Sequence, residues 1–209
     1  MNFWDRLDAV GEQHDVLRHP FYLRWSEGTL TAEELAHYSG QYRHAVVALA
    51  GAATAAARSP EAGADASALA EHAAEEASHV SLWDRFVVAA GGRVDAEPNP
   101  ETRECAAAWA GDESRSLPET LAAMLAVESA QPAISATKRA GLIRYYGIDE
   151  TAYFEVHEQL DVAHAAQART LLSSRLADAD EDALVASAAR ALAENWRLLD
   201  GVEAAAGRR

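Results

Sequence analysis

The placement of helix breakers constrains this chain more than any other feature. Only 6 prolines and 12 glycines occur in 209 residues. Most stand between long alanine-rich stretches, at Ser59-Pro60 with Gly63, Gly91-Gly92, Pro98 and Pro100, Gly111 and Gly147. Alanine loses no side-chain entropy in a helix and is the best helix former. The stretches between the breakers have helical length, so an all-α fold follows. The hydrophobic fraction of 49% suffices to bury a core in a single domain spanning residues 1–209.

Boundary signals give seven or eight helices in one bundle. The first segment runs from Asn2 to Leu17, with Phe3, Leu7, Val10 and Leu17 at helical spacing. His19 to Trp25 form a short aromatic helix or turn. Thr31 and Glu34 make a capping box that opens a helix to about Arg58. Further helices are expected from about Asp65 to Ala90 and, after the Pro98–Pro100 loop, up to Trp109. The next starts at Ser116, with Pro118 in its first turn and Glu119 three residues after the cap, and continues past Pro132 to about Tyr146. Asp149 is expected to cap a helix through about Leu176, and a last helix spans about Glu181 to Ala205.

Charge and composition narrow the function. With 18 basic and 33 acidic residues the net charge is −15, a field that repels nucleic acid. No apolar run reaches about 18 residues, and the start of the chain, MNFWDRLDAV, lacks a signal pattern, so no membrane association is expected. One cysteine, Cys105, cannot form an internal disulfide, which suits a reducing cytoplasm. The basic residues are 17 arginines and a single lysine, Lys138. Either this is chance, or the position needs a primary amine, which guanidinium cannot replace.

Three segments carry metal-type side chains. In His157-Glu158-Gln159-Leu160-Asp161-Val162-Ala163-His164, positions 157, 161 and 164 fall in one sector at about 100° per residue. Leu160, Ala165 and Ala168 mark that side as facing inward. Glu76 and His79 form Glu-x-x-His, a pair that converges on one metal in bundle-type di-iron proteins, although the pattern is common. Glu75 can also reach. Glu128 lies inside the apolar run Leu121–Ala130, where a carboxylate is costly unless paired or metal-bound. Pro132 four residues on removes a helical N–H and favours a kink. His72, seven residues before His79, is either a neighbour of the site or partly exposed. Together Glu76, His79, Glu128, His157, Asp161 and His164 can hold two metals, with Glu128 as the expected bridge. Carboxylates with imidazoles favour iron or manganese over structural zinc.

With these residues, the chain resembles the heme-oxygenase-like di-iron oxidases. Within them it looks closest to the chlamydial death-domain-associating proteins, also described as self-sacrificing para-aminobenzoate synthases. The likeness covers nearly the whole chain. It rests on Met1-Asn2-Phe3, His19-Pro20-Phe21-Tyr22, Trp25 through Thr31, His79-Val80-Ser81-Leu82-Trp83, Glu128 through Pro132, Thr137 through Leu142, and Tyr153-Phe154-Glu155-Val156-His157. The resemblance implies a heme-oxygenase-like bundle and a pair of irons, or iron with manganese, on the six residues above, with molecular oxygen and an external reductant as co-substrates. It also implies that Tyr22 or Tyr38 supplies an aromatic ring and Lys138 an amino group to para-aminobenzoate for folate synthesis. A homodimer is compatible with bundles of this type. Three features depart from the family pattern: a shorter stretch between Glu75-Glu76 and His79, Val127 in place of a tyrosine, and Arg43 in place of an aromatic.

Other readings are a di-iron oxygenase acting on an external amine or fatty acid, a metal-free thiaminase-like hydrolase, and an interaction module. The hydrolase needs a nucleophilic cysteine, and Arg103-Glu104-Cys105-Ala106-Ala107 does not match the cysteine motif of that group.

Overall fold

The capping signals open helices where the sequence places them. In the computed structural model, which describes residues 1–111 and 115–207, Thr31 and Glu34 exchange hydrogen bonds at the start of a helix over Ala32–Arg58 (α3). Residues 112–114 and 208–209 of the domain expected over 1–209 lie outside the described residues. Ser116 and Glu119 form the same box for the helix over Leu117–Gly141 (α6), with proline in its first turn. Asn2 and Asp5 do so for Phe3–Gln13 (α1). His19 caps Pro20–Glu27 (α2) through Nδ1, which accepts from the Phe21 N–H at 3.1 Å. The remaining helices are Ala66–Ala89 (α4), Pro100–Ala110 (α5), Ala152–Ser173 (α7) and Glu181–Ala206 (α8). Among the described residues there are eight α-helices and no strand, and no helix is long and apolar enough to cross a membrane.

Three boundaries differ from expectation. The first helix ends at Gln13, and Val16–Arg18 form a separate 3₁₀ turn. The Asp15 carboxylate accepts from the Leu17 N–H at 3.1 Å, a local bond that competes with helix continuation. The helix through Pro132 becomes a π turn at Leu142–Tyr146 before Gly147 closes it in the left-handed region, at φ 62°. Asp149 does not cap α7. That helix begins after Thr151, whose hydroxyl donates to Glu155 Oε1 at 2.7 Å.

Helix α6 lies along α7 and α8, α3 along α4 and α5, and α5 reaches α8. One packed cluster gathers the aromatic residues of α2, α3, α4 and α7, and a second gathers Leu121, Leu172 and Leu184 with their neighbours. The inward face of α7 carries His157, Asp161, His164, Ala168 and Leu172. Leu160 lies at the edge of that face, about 100° round the helix from Asp161, and is 40% exposed.

Candidate metal centre

Helix α4 presents His72, Glu76 and His79 from one face, because residues three and four apart stack along a helix. Helix α7 presents His157, Asp161 and His164 at the same spacing, and α6 adds Glu128. All seven side chains are buried. The α4 and α7 rows meet in pairs. The ring centroids of His72 and His164 are 4.4 Å apart, and those of His79 and His157 are 4.5 Å apart. Glu76 lies between the pairs, with Oε1 3.1 Å from His79 Nδ1 and 3.9 Å from His72 Nε2.

Two sets of donor atoms result, each with members within 4.8 Å of one another: His72, Glu76 and His164, and Glu76, His79 and His157. The carboxylate common to both is Glu76, where the sequence pointed to Glu128 as the bridge. Glu128 Oε1 instead lies 3.2 Å from His72 Nε2, and Asp161 Oδ1 lies 3.5 Å from His164 Nδ1. Neither contact has hydrogen-bond alignment.

The imidazoles are oriented from outside the cluster. His157 Nδ1–H donates to the Tyr153 carbonyl at 2.7 Å, which leaves a lone pair on Nε2. His164 Nε2 bonds Glu75 Oε2 at 2.8 Å. Seven buried atoms then remain without a hydrogen-bond partner: His72 Nε2, both Glu128 oxygens, His157 Nε2, both Asp161 oxygens and His164 Nδ1. Burial pushes the Glu128 and Asp161 carboxyls above the usual carboxylate range. For Glu76 burial acts the same way, but the bond to His79 and the nearby imidazoles outweigh it, and its pKa falls. Burial lowers His157, while Asp161 and Glu75 raise His164 to about 9. Unpartnered carboxylate oxygens in a buried site are costly, and a cation removes the cost. Mixed carboxylate and imidazole donors suit iron or manganese.

A second cluster adjoins the first. Lys138 is fully buried, and Nζ has no hydrogen-bond partner. It sits 4.4 Å from the Tyr42 ring centroid, 5.3 Å from Tyr22, 5.5 Å from Trp83 and 5.6 Å from Tyr38. Burial lowers its pKa well below the ordinary lysine value, which favours the neutral amine. The Tyr22 and Tyr38 hydroxyls share a hydrogen bond of 2.9 Å, and burial raises both. Rings join the two clusters: Trp83 lies 4.7 Å from Tyr153, and Tyr153 stacks on His157 at 3.9 Å.

Residues 32–197 match the model of a family described as iron-containing redox enzymes. The chain belongs to that family. Among relatives of this iron-containing redox enzyme, the 4-aminobenzoate synthase of Chlamydia muridarum is 34% identical over 199 residues, covering 90% of this chain and 84% of the relative. The 4-aminobenzoate synthase of Nitrosomonas europaea is 32% identical, covering 96% and 90%. A solved domain from Shewanella denitrificans with a heme oxygenase-like fold superposes with a TM-score of 0.76 at 19% identity, covering 99% of this chain and 94% of its own. It supports the fold alone.

The iron-containing redox enzyme thus brings all six sequence-predicted donors into one buried cluster, and Tyr22, Tyr38 and Lys138 into the adjoining one. The sequence reading left one contribution open, His72, and missed another, Tyr153. His72 faces the cluster with the same burial as His164, and the signal was its seven-residue spacing to His79. Tyr153 stands between the clusters; four residues before His157, it occupies the same helix face.

Proposed function

We propose that this iron-containing redox enzyme holds two metal ions, both iron or iron with manganese, and forms 4-aminobenzoate from its own Tyr22 and Lys138 side chains. The proposed ligands are Glu76, His79, Glu128, His157, Asp161 and His164, with His72 as a seventh donor and Glu76 shared between the ions. The single observation that carries the reading is Lys138: a buried amine with no polar partner, enclosed by tyrosine rings and linked to the donor cluster through Trp83 and Tyr153. The names of the relatives, 4-aminobenzoate synthases at 34% and 32% identity, support it.

Bound metal, with molecular oxygen and an external reductant, supplies the oxidising equivalents. The protein's own groups do the positioning. Burial keeps the lysine nitrogen lone pair available, since a protonated amine has none to give. Tyr38 holds the Tyr22 hydroxyl through the 2.9 Å bond. Tyr153 and Trp83 fill the space between His157 and Lys138 and exclude water from it. Cys105 is buried and its thiol is pushed up, so it offers no thiolate for a hydrolase mechanism. The reaction is assigned to the cytoplasm, where reductant is at hand and a lone cysteine stays a thiol.

Intact-protein mass spectrometry before and after iron, reductant and oxygen, with chromatography for 4-aminobenzoate, tests the reading. The expected result is no more than one product per chain, with mass lost at Tyr22 and Lys138. Tyr22→Phe and Lys138→Met should keep metal and yield no product. Sustained turnover by an unaltered chain would overturn it.

A further inference from the structure

The donor cluster is not closed evenly. Glu76, His79, Glu128, His157 and Asp161 are each 3% exposed or less, whereas His72 and His164 are each 7% exposed. The rings of that pair face each other at 4.4 Å across the seam between α4 and α7, so the mouth of the cluster lies there. Glu75 stands outside it: its side chain is 52% exposed, and Oε2 lies 2.8 Å from His164 Nε2. Glu71, one turn earlier on the same face of α4, is exposed as well.

His164 joins the outside to the inside. Nε2 points out at Glu75, and Nδ1 points in, 3.5 Å from Asp161 Oδ1 and without a hydrogen-bond partner. A neutral imidazole carries one proton, which sits on either nitrogen. With the proton on Nε2, donated to Glu75, the Nδ1 lone pair faces the cluster. With the proton on Nδ1, beside the Asp161 carboxylate, the Nε2 lone pair faces Glu75. In that second form Glu75 Oε2 and His164 Nε2 are two donors 2.8 Å apart at the mouth. A first-row cation with bonds of about 2.1 Å takes neighbouring ligands about 3 Å apart, so the pair has the spacing of a chelate.

We propose that Glu75 and His164 Nε2 form an outer site at the mouth of the donor cluster, where a divalent first-row cation lands before it passes to His72, Glu76 and the inward nitrogen of His164. The inference rests on the metal-holding part of the proposed function and not on the product formed. The net charge of −15 draws cations to the whole chain, and Glu75 with Glu71 focuses that field at the mouth. As the cation moves inward the proton returns from Nδ1 to Nε2 by exchange with water. Glu75 then accepts the Nε2–H again, and a hydrogen bond closes the entry.

The test follows cobalt(II) entering the metal-free full chain by stopped-flow absorbance, and leaving it by competition with a chelator. Glu75→Gln keeps an acceptor for the Nε2–H and removes the charge that meets the cation. Association is expected to slow about tenfold, and release to slow with it, because the ion leaves by the path it entered. Glu12→Gln removes one charge from an exposed position on α1 and should leave both rates unchanged. Parent-like association in Glu75→Gln would overturn the proposal, and faster release alongside it would mark Glu75 as a residue that only orients His164. A slowing no greater than that of Glu12→Gln would overturn it too. A chain that loads cobalt through Glu75 and forms no 4-aminobenzoate keeps the outer site and loses the proposed function. One that forms 4-aminobenzoate, with cobalt entry untouched by Glu75→Gln, keeps the function and loses the outer site.

Discussion

Glu75 Oε2 lies 2.8 Å from His164 Nε2, while His164 Nδ1 has no hydrogen-bond partner. Glu75 is half exposed and its neighbour Glu76 is buried, so two adjacent carboxylates serve opposite sides of one site. With Nε2–H donating to Glu75 Oε2, Nδ1 is the nitrogen left to face a cation, and partners of this kind orient metal-bound imidazoles. Glu75→Ala should therefore weaken metal binding about 10- to 100-fold while the unfolding midpoint of the metal-free protein stays nearly unchanged. Competition against a chelator measures the first, thermal melts the second. Equal metal affinity in variant and parent would remove the positioning role.

Because Glu76 is common to both donor sets, its loss should differ in kind from the loss of either flanking imidazole. Glu76→Gln is expected to abolish binding of both ions. His79→Ala and His72→Ala should each remove one and leave the other. Metal content per chain by plasma emission, after loading with ferrous iron under argon, distinguishes these outcomes. Metal binding also stabilises the fold by mass action, so the thermal midpoint should fall furthest for Glu76→Gln when metal is present. A His72→Ala protein that retains both ions would return His72 to a supporting position.

Much of this site was legible because helical spacing is arithmetic. His157, Asp161 and His164 fall on one face whatever the rest of the chain does. Glu128 stood out because an apolar run surrounded it. His72 was harder to read, since a single histidine two turns from His79 faces the site or solvent depending on which side of α4 meets α7, and that is decided by packing. The same cause misplaced Leu160, which lies at the edge of the α7 face and turns out to be exposed. The end of α6 was hidden for another reason. Nothing local marks the π turn at Leu142–Tyr146; in the last turn of α6 just before it, Trp25, 113 residues before Lys138, donates Nε1–H to the Lys138 carbonyl at 3.1 Å.

That approach of Trp25 depends on Gly141. A Cβ at this position would stand 2.6 Å from the indole Cδ1 and Nε1, and Trp25 is fully buried, so the ring has no free space into which to retreat. Gly141→Ala should destabilise the protein by about 1–3 kcal/mol through overpacking, despite the better helix propensity of alanine. Urea unfolding followed by tryptophan fluorescence gives the value. If Trp25 is displaced, its bond to the Lys138 carbonyl is lost as well, and product yield should drop alongside stability. An alanine variant as stable as the parent would show that the indole is not confined there.

Lys138 gives the molecule a stability cost that can be measured by pH. Burial lowers the pKa of the amine well below its ordinary value in the folded chain, whereas the unfolded chain takes up a proton below the ordinary lysine value of about 10.4. Between the lowered folded pKa and that value the unfolded state binds more protons, so the contribution of Lys138 to stability rises with pH and is lost as pH falls. Lys138→Met has similar length and no proton to take up. At neutral pH the methionine variant should be the more stable, by about 1.4 kcal/mol for each unit by which the folded pKa, or the pH if higher, lies below the unfolded value. The gap should close by up to about 1.4 kcal/mol per pH unit between about pH 7 and 9.5. The range stays below the titration of the buried tyrosines in the unfolded chain, near about 10. Urea titrations of both metal-free proteins across this range provide the comparison. A gap that stays constant with pH would mean that the amine is protonated inside the fold, and the lone pair required of it for forming an aromatic amine would not be there.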